Sequence, residues 1–176
     1  MDSRERVAQF DRIVTPHLPR AYNLARLLVG NATDAEDLVQ EASLRAFRAL
    51  DGFHGGDSKT WLLVIVRNVC YSFLGRKRGT EQEVEFEEEQ HSETVASATP
   101  ESAVLQSADA AAVRQAIEQL PPEFREALVL REMEELSYRQ IGEITGVPVG
   151  TVMSRLSRAR QQLRQRLQQT GRGARR

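Results

Sequence analysis

Residues 136–167 read LSYRQIGEITGVPVGTVMSRLSRARQQLRQRL, and this stretch decides the fold. A short helix capped by Ser137, with Ile141 and Ile144 facing inward, meets the break Gly146-Val147-Pro148. A long helix then starts at about Val149. Helix, tight glycine turn, helix is an arrangement in which the second helix enters a DNA major groove while the first braces it against the backbone. At about 100° per residue, Val152, Leu156, Ala159 and Leu163 fall on one stripe of the second helix, and Gly150, Ser154, Ser157, Arg158 and Gln161 lie opposite. Thr151 and Met153 flank the N-terminal end of that opposite face, and Arg155, Arg160 and Arg164 spread around the sides, where phosphates would lie. Serine and arginine read base edges, and backbone amides at a helix start take a phosphate. A plain helical hairpin with a solvated arginine helix is the competing reading. The proline placement, the small residues at the tip and the missing acids weigh against it.

Charge supports the nucleic-acid reading once the chain is divided. Overall, 24 Lys and Arg face 25 Asp and Glu, for a net charge of −1. Residues 148–176, however, hold eight arginines (Arg155, Arg158, Arg160, Arg164, Arg166, Arg172, Arg175 and Arg176) and no acid. A one-sign block concentrates the positive potential that phosphate backbones answer by counterion release, whereas a merely solvated face mixes both signs. Residues 81–109 are the reverse, with nine acids and no base.

That acidic stretch divides the chain. From Gly79 to Pro100 there are few large apolar residues, and the like charges of Glu85, Glu87, Glu88 and Glu89 repel, which reads as a flexible linker. On either side apolar residues recur at the helical spacing of three and four, with no sustained strand alternation. The expected fold is all-α: two small helical domains joined by a flexible acidic linker, the second containing the helix-turn-helix. The boundaries expected are 1–78, 79–101 and 102–176. In the first domain a helical pattern from about Arg4 to Val29 is interrupted by Pro16 and Pro19. Thr33 with Glu36 reads as a capping box opening a helix to about Leu50. Gly52, Gly55 and Gly56 break the chain, and Asp57 or Ser58 caps a helix from about Lys59 to Leu74 that ends in Arg76, Lys77 and Arg78. The second domain opens with an alanine-rich helix, Ala103 to Leu120, stopped by Pro121. Pro122 then starts another through about Met133.

Other chemistries find little support. Cys70 is the one cysteine, so no intrachain disulfide can form, and a buried thiol in a reducing compartment is expected. His17, His54 and His91 are far apart in sequence. No nucleophile–base pairing, metal-ligand spacing or glycine-rich phosphate loop is evident, so no catalytic residue, metal or cofactor is expected. No apolar run approaches a membrane span and no signal-peptide pattern opens the chain, which leads to an expected cytoplasmic location without membrane insertion.

Three motifs in order carry a family resemblance. Leu136-Ser137-Tyr138-Arg139-Gln140-Ile141, Gly146 to Val152 and Ser154 to Arg160 closely resemble the C-terminal domain of extracytoplasmic-function RNA polymerase sigma factors. Asp34-Ala35-Glu36-Asp37-Leu38-Val39-Gln40-Glu41 is similar to the family's polymerase-binding helix, and Trp61-Leu62 through Arg67-Asn68 to its upstream-melting helix. The likeness covers residues 8–78 and 102–167. It implies a bacterial initiation factor, itself not an enzyme, that lends core RNA polymerase its promoter specificity. The implied partners are core polymerase, through the clamp helices of its largest subunit and the flap of the second-largest, promoter DNA, and an anti-sigma factor.

The resemblance also implies roles for individual residues. Asp37, Leu38, Gln40 and Glu41 would meet the clamp helices, although solvation and helix-end charge complementarity explain the same acids without a partner. The loop from Phe53 to Ser58 and the helix after it would capture a flipped base of the minus-10 element. Phe53 or His54 would stack, Lys59, Arg67, Arg76, Lys77 and Arg78 would contact phosphates, and Ser58, Trp61 and Asn68 would lie alongside. Phe53 and Trp61 are also ordinary core residues for so small a domain. For the minus-35 duplex the matching positions are Met153, Ser154, Ser157 and Arg158, with Thr151 and Arg155 towards the backbone. Many relatives place Lys or Arg where this chain has Met153, so thymine-methyl or shape readout replaces a donor there. A stand-alone helix-turn-helix regulator that does not act as an initiation factor remains the alternative.

Overall fold

The computed structural model describes residues 2–83 and 108–173, and every regular element among them is helical. Residues 84–107, which hold most of the expected acidic linker and the expected start of a helix at Ala103, lie outside the described residues.

Helix α1 (Ser3–Ile13) starts in a capping box made by Asp2 and Glu5. Pro16 and Pro19 split the following pattern as expected. The chain takes a 3-10 turn over Thr15–His17, and Pro19 sits in the first turn of α2 (Leu18–Val29), where its missing N–H costs nothing. Gly30, at φ 75°, closes α2 in the left-handed region. Helix α3 (Ala32–Ala49) differs from the expected start: its cap is Asn31, whose side chain accepts the Asp34 N–H at 3.0 Å, and Thr33 already lies inside the helix. Helix α4 spans Ser58–Glu83, capped by the Asp57 carboxylate, which accepts the N–H groups of Lys59 and Thr60 at 3.1 and 3.3 Å. It runs through Gly75 and Gly79, so the domain end expected at residue 78 and the linker start at Gly79 fall within a helix. A glycine costs about 1 kcal/mol in a helix interior, which a long, well-anchored helix tolerates.

Helices α2, α3 and α4 pack on one another around Leu24, Leu28, Leu38, Leu50, Leu62, Leu63 and Val66. Cys70 of α4 is fully buried with them, and burial, with the nearby Glu126 charge, pushes its thiol up to about 12. Because the thiolate is the nucleophile, native protein at about pH 8 should resist iodoacetamide while urea-unfolded protein is alkylated. Rapid labelling of the native form would contradict this packing.

The second helical group comprises α5 (Ala108–Glu118), α6 (Pro122–Leu128), α7 (Tyr138–Thr145) and α8 (Val149–Gly173). Pro122 occupies the first turn of α6, as expected, and the helix continues to Met133 through a wider π turn, Val129–Met133. There the Glu134 N–H reaches back to the Val129 carbonyl at 3.1 Å, and Glu135 at φ 54° swings the chain round so that Leu136 is buried. The two groups are not separate bodies joined only by sequence. Helix α6 and the π turn lie against α2, α7 lies against α4, and one hydrophobic cluster runs through both groups.

Candidate polymerase and nucleic-acid interfaces

The helix-turn-helix forms as the sequence suggests, with details the pattern did not specify. Ser137 and Gln140 complete a reciprocal capping box at the start of α7. Gly146 turns the chain at φ 71°, and the N–H groups of Gly146 and Val147 both reach the Gly142 carbonyl. The approach is close: a Cβ on Gly142 would stand 2.9 Å from the Val147 carbonyl oxygen. Pro148 then supplies the carbonyl that accepts the Thr151 and Val152 N–H groups and opens α8. The α8 stripe of Val152, Leu156 and Ala159 is buried, while Gly150, Met153, Ser154, Ser157, Arg158 and Gln161 are exposed.

Among the residues assigned to minus-35 DNA, Met153, Ser154, Ser157 and Arg158 therefore share one open face, with Thr151 half-buried at its edge. Arg155 differs. It is half-buried, and its charge bears on the buried Glu126, so it is turned partly towards the protein body. Arg160, expected beside phosphates, instead donates to Glu132 at 2.7 Å.

On the other group, the loop before α4 carries exposed His54 beside Gly55 and Gly56, both at φ near 100°, a conformation glycine adopts freely. Phe53 and Trp61 pack on each other, 5.0 Å between ring centroids, against the core, which favours the packing role over base stacking in this conformation. Ser58 is hydrogen-bonded to His17 at 3.0 Å. Asn68, Arg76, Lys77 and Arg78 are exposed along α4. The two remaining cations face the second helical group: Lys59 Nζ donates to the Glu134 carbonyl at 3.2 Å, and Arg67 Nε donates to Glu126 Oε1 at 2.5 Å.

The outer face of α3 needs one correction. Asp37 and Gln40 are exposed, and Glu41 is half-buried and paired with Arg45 at 2.5 Å, but Leu38 is buried within the core at 5% exposure and cannot present itself to a partner. The apolar group on that face is Leu44, 59% exposed, one turn beyond Gln40 and Glu41. The i, i+3/i+4, i+7 spacing of Asp37, Gln40, Glu41 and Leu44 could have identified it.

With the geometry in place, comparison supplies the class. The sigma-70 region 2 family matches residues 13–80, and the sigma-70 region 4 family matches residues 110–163. The chain belongs to the extracytoplasmic-function RNA polymerase sigma factors, which act as transcription initiation factors. It is 40% identical over 88% of its length to the ECF RNA polymerase sigma factor SigE of Mycolicibacterium smegmatis, of which it spans 60%. It is 39% identical to the RNA polymerase sigma-H factor of Pseudomonas aeruginosa, over 90% of this chain and 86% of that one. Among solved structures it resembles the sigma factor RpoE of Bartonella quintana, crystallised with the anti-sigma factor NepR, at TM-score 0.74 and 33% identity over 90% of this chain and 96% of that one. No helix among the described residues is long and apolar enough to cross a membrane.

Proposed function

We propose that this chain binds core polymerase through the outer face of α3, with Asp37, Gln40 and Glu41 pairing with basic groups of the clamp helices and Leu44 packing between them. Residues 1–78 then read and help melt the minus-10 element, through His54, Asn68 and the basic residues of α4. Residues 102–176 read minus-35 duplex through Met153, Ser154, Ser157 and Arg158 and meet the flap of the second-largest subunit. The chain contributes recognition, the catalysis of RNA synthesis being the polymerase's. It works in the cytoplasm, where its polymerase and promoters are, and an anti-sigma factor restrains it, as NepR accompanies the similar RpoE.

The observation that carries this reading is the open face of α8: small side chains and Arg158 at the tip of a braced helix, with no acid from residue 148 onward. Purified protein, bacterial core polymerase and a library of promoter fragments should yield discrete transcripts only when all are present. The start sites should be preceded by two shared motifs. Fragment binding without transcript initiation would support a stand-alone helix-turn-helix regulator instead.

A further inference from the structure

The N-terminal part of α8 exposes two large apolar side chains where a merely solvated helix would carry polar ones. Val149 is 43% and Met153 53% exposed, four residues apart and so one above the other on the same row. Ser157 and Gln161 continue that row, and Gly150, Ser154 and Arg158 form the exposed row beside it. Single exposed apolar residues need no explanation, but two that adjoin, outside the buried stripe of Val152, Leu156 and Ala159, form a patch. Gly150 adds a second observation. A Cβ there would meet no atom of the described residues within 4 Å, and its φ is outside the left-handed region. Neither packing nor backbone conformation therefore calls for glycine at a position where it weakens the helix. The missing side chain leaves an open notch flanked by Val149, Met153 and Ser154. Donors along this stretch are largely committed to the protein itself. The Ser154 hydroxyl donates to the Thr151 carbonyl at 3.0 Å, Arg155 is half-buried with its charge bearing on Glu126, and Arg160 donates to Glu132 at 2.7 Å. Ser157 and Arg158 stay exposed.

We infer that Val149 and Met153, with the Gly150 notch beside them, read thymine by its C5-methyl group, so that the upstream element carries A·T pairs under this apolar row and a guanine under Arg158. The inference rests on the proposed role of α8 as the helix that enters minus-35 duplex. The major groove is where this chemistry is available. Thymine alone of the four bases presents a methyl there for apolar side chains, whereas arginine pairs with guanine O6 and N7. From residue 148 onward the chain holds eight arginines and no acid, so the apolar patch lies within a surface suited to a polyanion and not to an apolar protein partner. Four residues of helix rise about 6 Å and successive base pairs about 3.4 Å, so Val149 and Met153 address methyls no more than about two steps apart.

Duplexes selected from a random-sequence library by the full chain, with core polymerase and separately alone at low salt, define the element. Its thymines are then replaced one at a time by deoxyuridine, which removes the methyl and keeps every hydrogen-bonding group. One or two positions should each lose about fourfold in affinity, the worth of one buried methyl. At one of them the loss should vanish in Met153→Ala, which leaves nothing to meet the methyl. Met153→Lys should move the preference there from thymine to guanine. Gly150→Ala, which fills the notch, should weaken binding of the thymine duplex and spare the uracil one; equal weakening of both takes the notch out of the reading. The substituted positions are exposed, so circular dichroism should be unchanged in all three variants. An element without thymine, no selected element, uracil duplexes bound as tightly as thymine ones, or uracil sensitivity that persists in Met153→Ala overturns the inference. If transcripts form equally from thymine and uracil templates, methyl reading alone fails. If the chain selects methyl-dependent duplexes but never directs a transcript, the initiation reading fails and methyl reading stands.

Discussion

Leu156→Asp should abolish minus-35-dependent transcription by unfolding the helix-turn-helix. Leu156 is 1% exposed on the stripe of α8 that packs against α6 and α7, beside Val152 and Ala159. Removing the side chain costs about 2–5 kcal/mol through lost burial and the residual cavity. A carboxylate placed there has no cation in the apolar stripe, so it must either stay charged in a dry site or take up a proton, and both add to the cost. Against a total stability of about 5–15 kcal/mol, this is a large fraction. Urea denaturation followed by circular dichroism should show the midpoint falling sharply or the second helical group melted from the start. Leu156→Met, which keeps the volume, should cost less than about 1.5 kcal/mol and retain transcription. A stable, active Leu156→Asp protein would contradict the packing of α8.

Asp37→Arg should leave the fold intact and remove polymerase capture. Asp37 is exposed, and among the described residues none pairs with its carboxylate, so substitution should change stability by no more than about 0.5 kcal/mol. If the face docks on basic clamp helices, reversal replaces attraction by like-charge repulsion at a buried contact. Truncating one member of such a pair costs about 2–5 kcal/mol, so core affinity should fall at least about 30-fold. Leu44→Ala separates packing from charge, since it removes the exposed apolar group of that face and adds no charge. It should weaken core binding about tenfold, a typical cost for a buried aliphatic contact, without lowering the melting temperature. Core binding measured by fluorescence anisotropy, with denaturation run alongside, reads both. Unchanged affinity in both variants would return the acids of α3 to the solvated reading.

The helix-turn-helix was legible because several independent signals coincide over a short stretch. Ser137 caps, Gly146 takes the left-handed turn, Pro148 begins the next helix, and Val152, Leu156 and Ala159 recur on one side of α8. Each of these is local, so the order of residues suffices. Helix ends were less legible. Asn31 caps α3 where Thr33 with Glu36 matched the pattern, because several polar residues compete within one turn and the surrounding packing selects among them. The helix end expected near Leu74 and the linker start expected at Gly79 both lie inside α4, since glycine lowers helix propensity without forbidding a helix.

Helical class, division into two groups around an acidic stretch, and the exposed face of α8 were thus determined by the sequence alone, because periodicity, capping and charge segregation act between near neighbours. Which groups are free to act was decided only by the tertiary structure. The buried position of Leu38, the packing of Phe53 on Trp61, and the capture of Arg67 by Glu126 across 59 residues depend on chain segments that meet only after folding. A helical repeat places a side chain on a face; what covers that face is set by the packing of distant helices, and no local pattern encodes it.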